Sequence, residues 1–363
     1  MITVPVSLAD KSYEVRIAPG LLRAAGAEAR ELFPNARACA VVSDSTVTPL
    51  YAEALCESLR AAGLTPHLIT VPAGEPSKSF AALESVTRAM IQAGLDRKSF
   101  LVALGGGVIG DLAGFAASIF YRGIPYIQIP TTIVSVVDSS VGGKTGINTP
   151  EGKNLIGTFH QPRLVLIDPD LLGTLPSREY NEGFAEIIKH AAIRDGAMLP
   201  LIARAAASER RDGLDNLIAA NIAIKANIVS EDEFETKGLR ALLNFGHTIG
   251  HGIEASAGYG ELLHGEAISL GIRAALYLSE RNAGLPSEDS TALLTLLAAF
   301  RLPLVLPEKI TTDQIMEKLA RDKKFDQGAI RFVLLRAMGD SFVSSDITRD
   351  DILAAIEHLR SVS

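Results

Sequence analysis

The densest chemistry in the chain lies in residues 240–266, where Asn244-Phe-Gly-His247-Thr-Ile-Gly-His251-Gly-Ile-Glu254 is followed by His264-Gly-Glu266. Three of the seven histidines fall in that run. On a helix, His247 and His251 stand a turn apart on one face, as metal-binding and acid–base histidine pairs require. His264 follows a Gly-Tyr-Gly break and can return to the same place from a second helix. Upstream, Glu182, Glu186, Lys189 and His190 also sit at helical spacing. A carboxylate from that helix plus two histidines makes a three-ligand centre with one open position, the plan of a catalytic divalent metal. An isolated i,i+4 pair would equally be a helix-surface feature; the third histidine and the acidic helix favour the metal.

A second constellation precedes this one. An apolar run at 100–104 leads into Gly105-Gly-Gly107-Val108-Ile109-Gly110-Asp111, a G-x-G-x-x-G pattern between a strand and a helix. Glycines there let backbone N–H groups approach a pyrophosphate at a helix N-terminus. Two features depart from the usual dinucleotide fingerprint. Earlier strands precede the loop, and no Asp or Glu lies between Asp111 and Asp138 to hold a ribose. A bound dinucleotide would need Asp44 or Glu75 for that purpose. Gly143-Lys144-Thr145 invites comparison with a nucleoside-triphosphate loop, but Asp138 stands where that motif needs glycine, and the residues after Thr145 do not open a helix. Lys144 and Lys153-Asn154, set among glycines, suit a phosphate or carboxylate on a small substrate. Either lysine taken alone reads as a solvated loop residue.

The elements that must carry these residues are legible from periodicity. Val4, Val6 and Leu8 alternate, then Tyr13, Val15 and Ile17, around a polar turn, which is a β-hairpin signal. Strand runs at 38–43, 66–71, 100–104, 126–130 and 164–167 alternate with helical stretches such as 49–62 and 80–93. That alternation predicts a parallel sheet with helices on both faces, whose ligands bind beyond the carboxyl ends of the strands. Asp44, Glu75 and the glycine loop fall at such ends. After Pro176 long helical patterns follow, at 179–193, 215–229, 242–255, 266–283, 290–300 and 312–321, with one strand signal at 330–335. The expectation is an α/β domain over residues 1–177, with a Rossmann-like parallel sheet and the dinucleotide site. An all-α domain over 178–363 carries the metal, with substrate in the cleft between them.

Composition narrows the class. A chain of 363 residues with 47% hydrophobic and 21% charged residues is a folded protein, long for a single core. A net charge of −7 argues against a general nucleic-acid binder. Cys39 and Cys56 form neither a disulfide framework nor a metal-ligand pattern. The N-terminus lacks a basic segment followed by an apolar core, so no signal peptide is read. The apolar run at 100–121 is long enough to span a bilayer, but its glycines and Asp111 favour strand–loop–helix. A soluble cytoplasmic protein with neither membrane nor nucleic-acid partner is expected.

Taken together, these residues resemble the 3-dehydroquinate synthase family of sugar-phosphate cyclases, from about residue 44 to 339. The stretches that carry the resemblance are the 105–111 loop, Arg122-Gly-Ile-Pro, Pro130-Thr-Thr, residues 137–148, Gly152-Lys-Asn-Leu-Ile-Gly, Ala185-Glu-Ile-Ile-Lys, residues 243–251, His264-Gly-Glu and Asp322-Lys-Lys. The resemblance implies an enzyme that binds NAD and a divalent metal, zinc or alternatively cobalt. It implies conversion of a seven-carbon keto-acid sugar phosphate into 3-dehydroquinate and phosphate, and a homodimer. Implied metal ligands are Glu186, His247 and His264. Spacing alone would have recruited His251, which the family's pattern turns towards substrate.

Implied substrate contacts are Arg122, Asp138, Lys144, Asn154, Lys189, Lys225, Arg240, Asn244, His251 and one of Lys323 or Lys324. Implied NAD contacts are Asp44, Glu75, Lys78, Gly107, Val108, Ile109, Gly110, Asp111, Thr131, Thr132, Lys144, Lys153, Leu171, Leu172, Gly173 and Thr174. The residue types make sense of the reaction. Oxidising one carbinol acidifies the neighbouring C–H, phosphate leaves, the hydride returns, and ring opening with an intramolecular aldol closes the carbocycle. Lysines, an arginine and an asparagine hold phosphate and carboxylate, and His251 suits an acid–base role at neutral pH.

Three rivals are weighed against this. A metal-dependent polyol dehydrogenase would consume NAD and need no phosphate cluster. A valiolone-type cyclase would leave Arg240 without a substrate carboxylate, whereas an amino-dehydroquinate product is not separated by these positions. A silent dinucleotide sensor would have no need of Glu186, His247 and His264.

Overall fold

Strand and helix alternate through the first half of the computed structural model, which describes residues 1–207, 213–258, 260–321 and 331–361. The strands are β1 (Ile2–Val6), β2 (Tyr13–Ile17), β3 (Ala38–Asp44), β4 (Thr65–Val71), β5 (Phe100–Gly105), β6 (Tyr126–Pro130), β7 (Lys144–Thr149), β8 (Gly152–Phe159) and β9 (Leu164–Ile167). Seven of them form one sheet in the order β1-β2-β9-β6-β5-β3-β4. Every neighbouring pair is parallel except the β1–β2 hairpin. Strands β5, β6 and β9 are buried along their whole length, which is why β5 and β9 read as unbroken apolar runs rather than alternating ones; β6 carries Gln128, which donates to Tyr126 Oη at 3.2 Å.

Alternate residues of one strand feed two separate cores. Cys39 and Val41 of β3 pack with helices α1 (Leu21–Leu32) and α2 (Glu53–Ala61) through Leu22, Ala25, Leu55 and Leu59. Ala40 and Val42 pack on the other face with α3 (Phe80–Gln92) and α4 (Gly107–Ile119), through Val86, Met90, Leu112 and Ala116. The chain moves outward from β3 to β4 and then returns to place β5 on the other side of β3. That reversal puts the carboxyl ends of β3 and β5 side by side, so Asp44 and the glycine loop flank the switch point where open α/β sheets bind ligands.

The chain divides into two compact units, Met1–Leu175 with Lys225–Phe234, and Pro176–Ile224 with Glu235–Ser363. The second is mostly helical: α5 (Ser177–Glu182), α6 (Phe184–Arg194), α7 (Leu199–Ala207), α8 (Leu214–Glu231), whose residues from Lys225 onward group with the first unit, α9 (His247–Ala257), α10 (His264–Ala283), α11 (Ser287–Ala299), α12 (Thr312–Arg321) and α13 (Arg349–His358). It is not wholly helical, because β10 (Phe332–Ala337) and β11 (Asp340–Ser344) form an antiparallel hairpin. Its core joins Ile249 and Ile253 of α9 to Leu270 and Ala274 of α10, Ile315 and Leu319 of α12, and Phe332 and Leu334 of β10. No described helix is long and apolar enough to cross a membrane.

Three local readings change. The helix expected over 242–255 is a 3-10 turn, Arg240–Asn244, followed by a fresh start at His247. Gly246 causes the break: its φ is 76°, and a Cβ there would come within 2.8 Å of the Ile272 backbone nitrogen. The helix expected over 179–193 is two helices meeting at Gly183. The glycine-rich stretch bearing Lys144, Lys153 and Asn154 is the β7–β8 hairpin, laid across α4 where Gly114 faces Thr145.

Candidate active site

Glu186 lies on the first turn of α6 and is fully buried. Its Oε1 stands 3.4 Å from His247 Nε2 and 3.2 Å from His264 Nε2, and the three ligand atoms lie within 4.8 Å of one another. Two ligands of one tetrahedral zinc, each bonded at about 2.0–2.1 Å, are separated by about 3.4 Å. The donor set and its spacing therefore fit a divalent cation. Glu186 gives its other oxygen to Lys189 Nζ, also buried. His247 opens α9 and holds its Nδ1 3.1 Å from the Phe245 carbonyl, so Nε2 is the nitrogen turned to Glu186.

His264 opens α10, and the start of that helix is tied down from several directions. Glu182 accepts from Gly265 N at 2.9 Å, and Glu266 accepts from Leu263 N at 2.9 Å while forming two bonds of 2.7 and 2.6 Å with Arg178. A side chain at position 265 would drive its Cβ to 1.9 Å from the Glu182 carbonyl oxygen, so only glycine fits beside the histidine.

Electrostatics set distinct proton affinities in this cluster. Burial would raise the Glu186 carboxyl, but the Lys189 charge and then His247 hold it well below the ordinary carboxylate range. Burial, then the Lys189 charge, pushes His247 below its usual value. Burial opposes protonation of His264 too, yet hydrogen bonding to Glu186 and Glu254 outweighs it and lifts the imidazole to about 10. Glu182 is raised to about 7, chiefly by burial. Without a cation, His264 therefore holds a proton between two carboxylates, and a metal must displace it.

The exposed His251 sits beside both ligand histidines, with ring centroids 5.0 Å from His247 and 6.0 Å from His264. It groups with Glu254 and His264 rather than with Glu186. Asn244 is exposed, while Arg240 is buried with Nε 3.5 Å from Glu235. Lys323 and Lys324 lie outside the described residues. His190 holds its Nδ1 2.8 Å from Asn221 Oδ1 in the buried helical core, and one of its ring nitrogens lies within 4.8 Å of a Glu186 carboxylate oxygen.

In the first unit, α4 begins at Gly107 with Gly106 as its cap, and Gly110 N closes the first turn on the Gly106 carbonyl. The N–H groups of Gly107, Val108 and Ile109 therefore face the helix start, where an anion is stabilised. A Cβ on Gly110 would come within 2.9 Å of Gln128 on β6, so this glycine lets helix and sheet approach closely. Thr131, just after β6, has a buried hydroxyl oxygen with no hydrogen-bond partner, and Thr132 is spent on Ser135. An orphaned hydroxyl beside a helix N-terminus fits a phosphate-bearing cofactor.

Around that point runs a polar chain. Lys78 Nζ donates to Asp111 at 2.7 Å and to Asn154; Asn148 donates to Glu75 at 2.8 Å and accepts from Asn154 N at 2.9 Å. Asn154 itself takes a left-handed φ of 57°. Burial raises the Asp111 carboxyl, with Lys78 opposing. Asp44 accepts from Thr46 N and Val47 N at 2.8 and 2.9 Å. Lys225 Nζ donates to the Asp138 carboxylate at 2.6 Å. Lys144 and Lys153 are exposed on the hairpin. Leu171 and Leu172 are buried and offer backbone only, whereas Gly173 and Thr174 are exposed; Tyr51 Oη fixes the segment at Leu171 O, 2.9 Å, and Thr174 Oγ1, 2.6 Å.

Arg122 is not gathered with the glycine loop. It follows α4, roughly 20 Å along a 13-residue helix from its glycine end, at a φ of 69° beside Tyr121 at 49°. Glu182, one of the acidic candidates of the sequence, serves the start of α10 rather than the ligand set, and three residues with evident parts in these clusters, Tyr51, Asn148 and Glu254, were not singled out from the sequence as site residues. Glu254 alone carried a positional signal, seven residues beyond His247 on the same helical face.

Comparison with known proteins follows the same lines. Residues 68–182 match the family model described as 3-dehydroquinate synthase N-terminal, and residues 183–325 match its C-terminal counterpart. The chain is 45% identical over 349 residues to the 3-dehydroquinate synthase of Methylacidiphilum infernorum (isolate V4), covering 96% of each chain. Among solved structures it superposes with a TM-score of 0.88 on the 2-epi-5-epi-valiolone synthase ValA of Streptomyces hygroscopicus subsp. jinggangensis 5008 with NAD+ and Zn2+ bound, at 32% identity over 97% of this chain and 98% of that one. A 2-deoxy-scyllo-inosose synthase complexed with carbaglucose-6-phosphate, NAD+ and Co2+ gives a TM-score of 0.87 at 25% identity, covering 98% of this chain and all of the other.

Proposed function

This chain belongs to the 3-dehydroquinate synthase family, and on that premise we propose that it carries out the reaction of the enzymes it resembles. It converts 3-deoxy-D-arabino-heptulosonate 7-phosphate to 3-dehydroquinate and phosphate, a lyase step of the shikimate pathway towards aromatic amino acids. The observation that carries this reading is the convergence of His247 and His264 Nε2 on Glu186 Oε1 at 3.4 and 3.2 Å, beside the exposed His251. When bound, NAD supplies a reversible hydride acceptor and a divalent zinc or cobalt supplies Lewis acidity at the carbinol carbon's oxygen.

The chain's own residues do the rest. Residues 1–177 hold the nucleotide: the α4 N-terminus and Thr131 face its phosphates, Asp44 and Glu75 its riboses, and Lys78, Asp111, Thr132, Lys153 and the Leu171–Thr174 backbone complete the contacts. Residues 178–363 hold the metal on Glu186, His247 and His264. Substrate phosphate and carboxylate are bound by Lys144, Asn154, Lys189, Arg240 and Asn244, with Asp138, Lys225 and one of Lys323 or Lys324 as further contacts; Arg122, at the far end of α4 from the glycine loop, is not placed among them. Fixing both anionic groups orients the carbinol and makes each step effectively unimolecular. His251 sits next to the ligand histidines; without a cation, desolvation there and then the charges of His247 and His264 hold its imidazole down at about 3 rather than near neutral pH, so at the substrate it is a neutral group positioned to accept a proton. The enzyme works in the cytoplasm as a homodimer, which sedimentation of the purified protein checks.

The deciding assay follows phosphate release and NADH absorbance together on protein supplied with NAD, zinc and the seven-carbon phosphate. Phosphate released at catalytic turnover with no net NADH is the expected result. NADH accumulating from a simple polyol, with no phosphate released, would mean a dehydrogenase instead.

A further inference from the structure

We propose that Glu254 is a positioning residue for the metal, holding His264 from the side opposite Glu186 and fixing which of its nitrogens meets the cation. The inference rests on the reading that Glu186, His247 and His264 hold that cation.

The His264 ring is gripped at both ends. Its Nε2 lies 3.2 Å from Glu186 Oε1 and its Nδ1 lies 3.5 Å from Glu254 Oε2. An imidazole whose Nδ1–H points at a carboxylate has its proton assigned and its plane fixed, and its Nε2 lone pair is left for a metal. Glu254 can do this because α9 carries it two turns beyond His247, on the same face, with its side chain only 15% exposed. One helix thus supplies both a ligand and the support for the ligand on the next helix.

The two histidines are supported differently. His247 Nδ1 faces a neutral backbone carbonyl, that of Phe245, at 3.1 Å. His264 Nδ1 faces an anion. A carboxylate raises the basicity of the imidazole it accepts from more than a carbonyl does, so His264 is the stronger donor of the pair. His264 is also the more exposed of the two, 30% against 11%. The tighter support falls on the ligand with less packing around it, where a ring would otherwise turn.

The His251–Glu254–His264 grouping admits a competing idea, a second cation on the far side of the ring. That cation would need Nδ1 of a histidine already committed through Nε2, hence an imidazolate with both nitrogens deprotonated. A proton on Nδ1 satisfied by Glu254 is the simpler chemistry, and the stoichiometry of binding separates the two.

The test titrates metal-free protein with zinc against a chromophoric chelator and repeats the titration with cobalt, reading its visible absorption bands. Wild-type protein should bind one equivalent. Glu254→Gln keeps an acceptor for Nδ1–H but loses the charge, and Glu254→Ala loses both. Each variant should still bind one equivalent, with affinity lower by roughly 10-fold for the amide and nearer 100-fold for alanine. The cobalt bands should shift in both, a change that mere loss of fold stability would not produce. Zinc affinities and cobalt spectra identical to wild type would overturn the role of Glu254 alone. Two equivalents in wild type falling to one in Glu254→Gln would replace it with the second-cation site. No zinc bound by wild type would overturn the ligand assignment together with this inference.

Discussion

The buried pair of Glu186 and Lys189 offers the sharpest test of the electrostatic argument, because the two charges are worth different amounts when removed singly. Glu186 is wholly buried and Lys189 is 1% exposed. Glu186→Gln leaves the Lys189 ammonium without its carboxylate, a change that typically costs about 3–5 kcal/mol. Lys189→Met is milder. The carboxylate it leaves behind still faces His264, whose imidazole is raised to about 10 and so remains protonated at neutral pH. Its loss is that of one charge-assisted hydrogen bond, about 1.5–3 kcal/mol. The double variant carries neither uncompensated charge, so it should be more stable than Glu186→Gln alone, with a coupling of roughly 2–3 kcal/mol. The assay is urea denaturation of chelator-treated protein at pH 7.5. Circular dichroism is the probe, since the chain has no tryptophan and the unit in question is mostly helical. Glu186→Gln should also fail to bind zinc while still binding NAD. Additive single effects, or a Lys189→Met loss as large as that of Glu186→Gln, would refute the claim that His264 shares the carboxylate.

Two further outcomes follow from the same geometry. Glu182 has its pKa raised to about 7 by burial, above its value near 4.5 in the unfolded chain. The charged form is therefore disfavoured on folding, and the metal-free protein loses stability as pH rises from about 4.5 to 7. Glu182→Gln keeps the acceptor for Gly265 N and removes this loss. It should stabilise the protein at pH 8 by on the order of 3 kcal/mol, fading to nothing near pH 4; a gain equal at both pH values in thermal melts would sink the assignment. Lys78 joins Asp111 and Asn154 at the glycine-loop end of α4, so Lys78→Met should weaken NAD binding by at least 10-fold in calorimetry and leave zinc affinity untouched. Unchanged NAD affinity would show that the polar chain only braces the hairpin.

Much of the first unit's fold was legible because its rules are local. Apolar runs ending at Gly or Asp marked β3, β5 and β9 as central parallel strands, and β6 was read from Tyr126, Ile127 and Ile129 around Gln128, ahead of Pro130. The β7–β8 hairpin was not, and for a physical reason. Hairpin strands are recognised by alternating large side chains, but here Gly146 faces Gly157 across the pair, and a Cβ on Gly157 would meet the Thr145 carbonyl oxygen at 2.0 Å. Close packing against α4 replaced the alternation that the reading depends on. The same lack of local signal hid Asn148 and Tyr51, whose partners lie 73 and 120 residues away in sequence.

The histidine cluster shows where spacing stops being informative. Periodicity assumed that one helix ran through residues 242–255, which would place His247 and His251 as equivalent neighbours a turn apart. In the structure the helix starts at His247, because Gly246 turns left-handed against Ile272. A first-turn residue has no helical turn before it to pack against, so His247 can lean back to the Phe245 carbonyl and aim Nε2 at Glu186. His251, one turn on, has helix beneath it and remains exposed at the edge. His264 repeats the first-turn arrangement on α10, held by Glu254 rather than by a carbonyl. Both inward-facing histidines thus open their helices, and both follow glycine: Gly246 directly before His247, and Gly258 and Gly260 ahead of His264. For this site, position relative to a helix start discriminates between histidines that i,i+4 spacing treats alike.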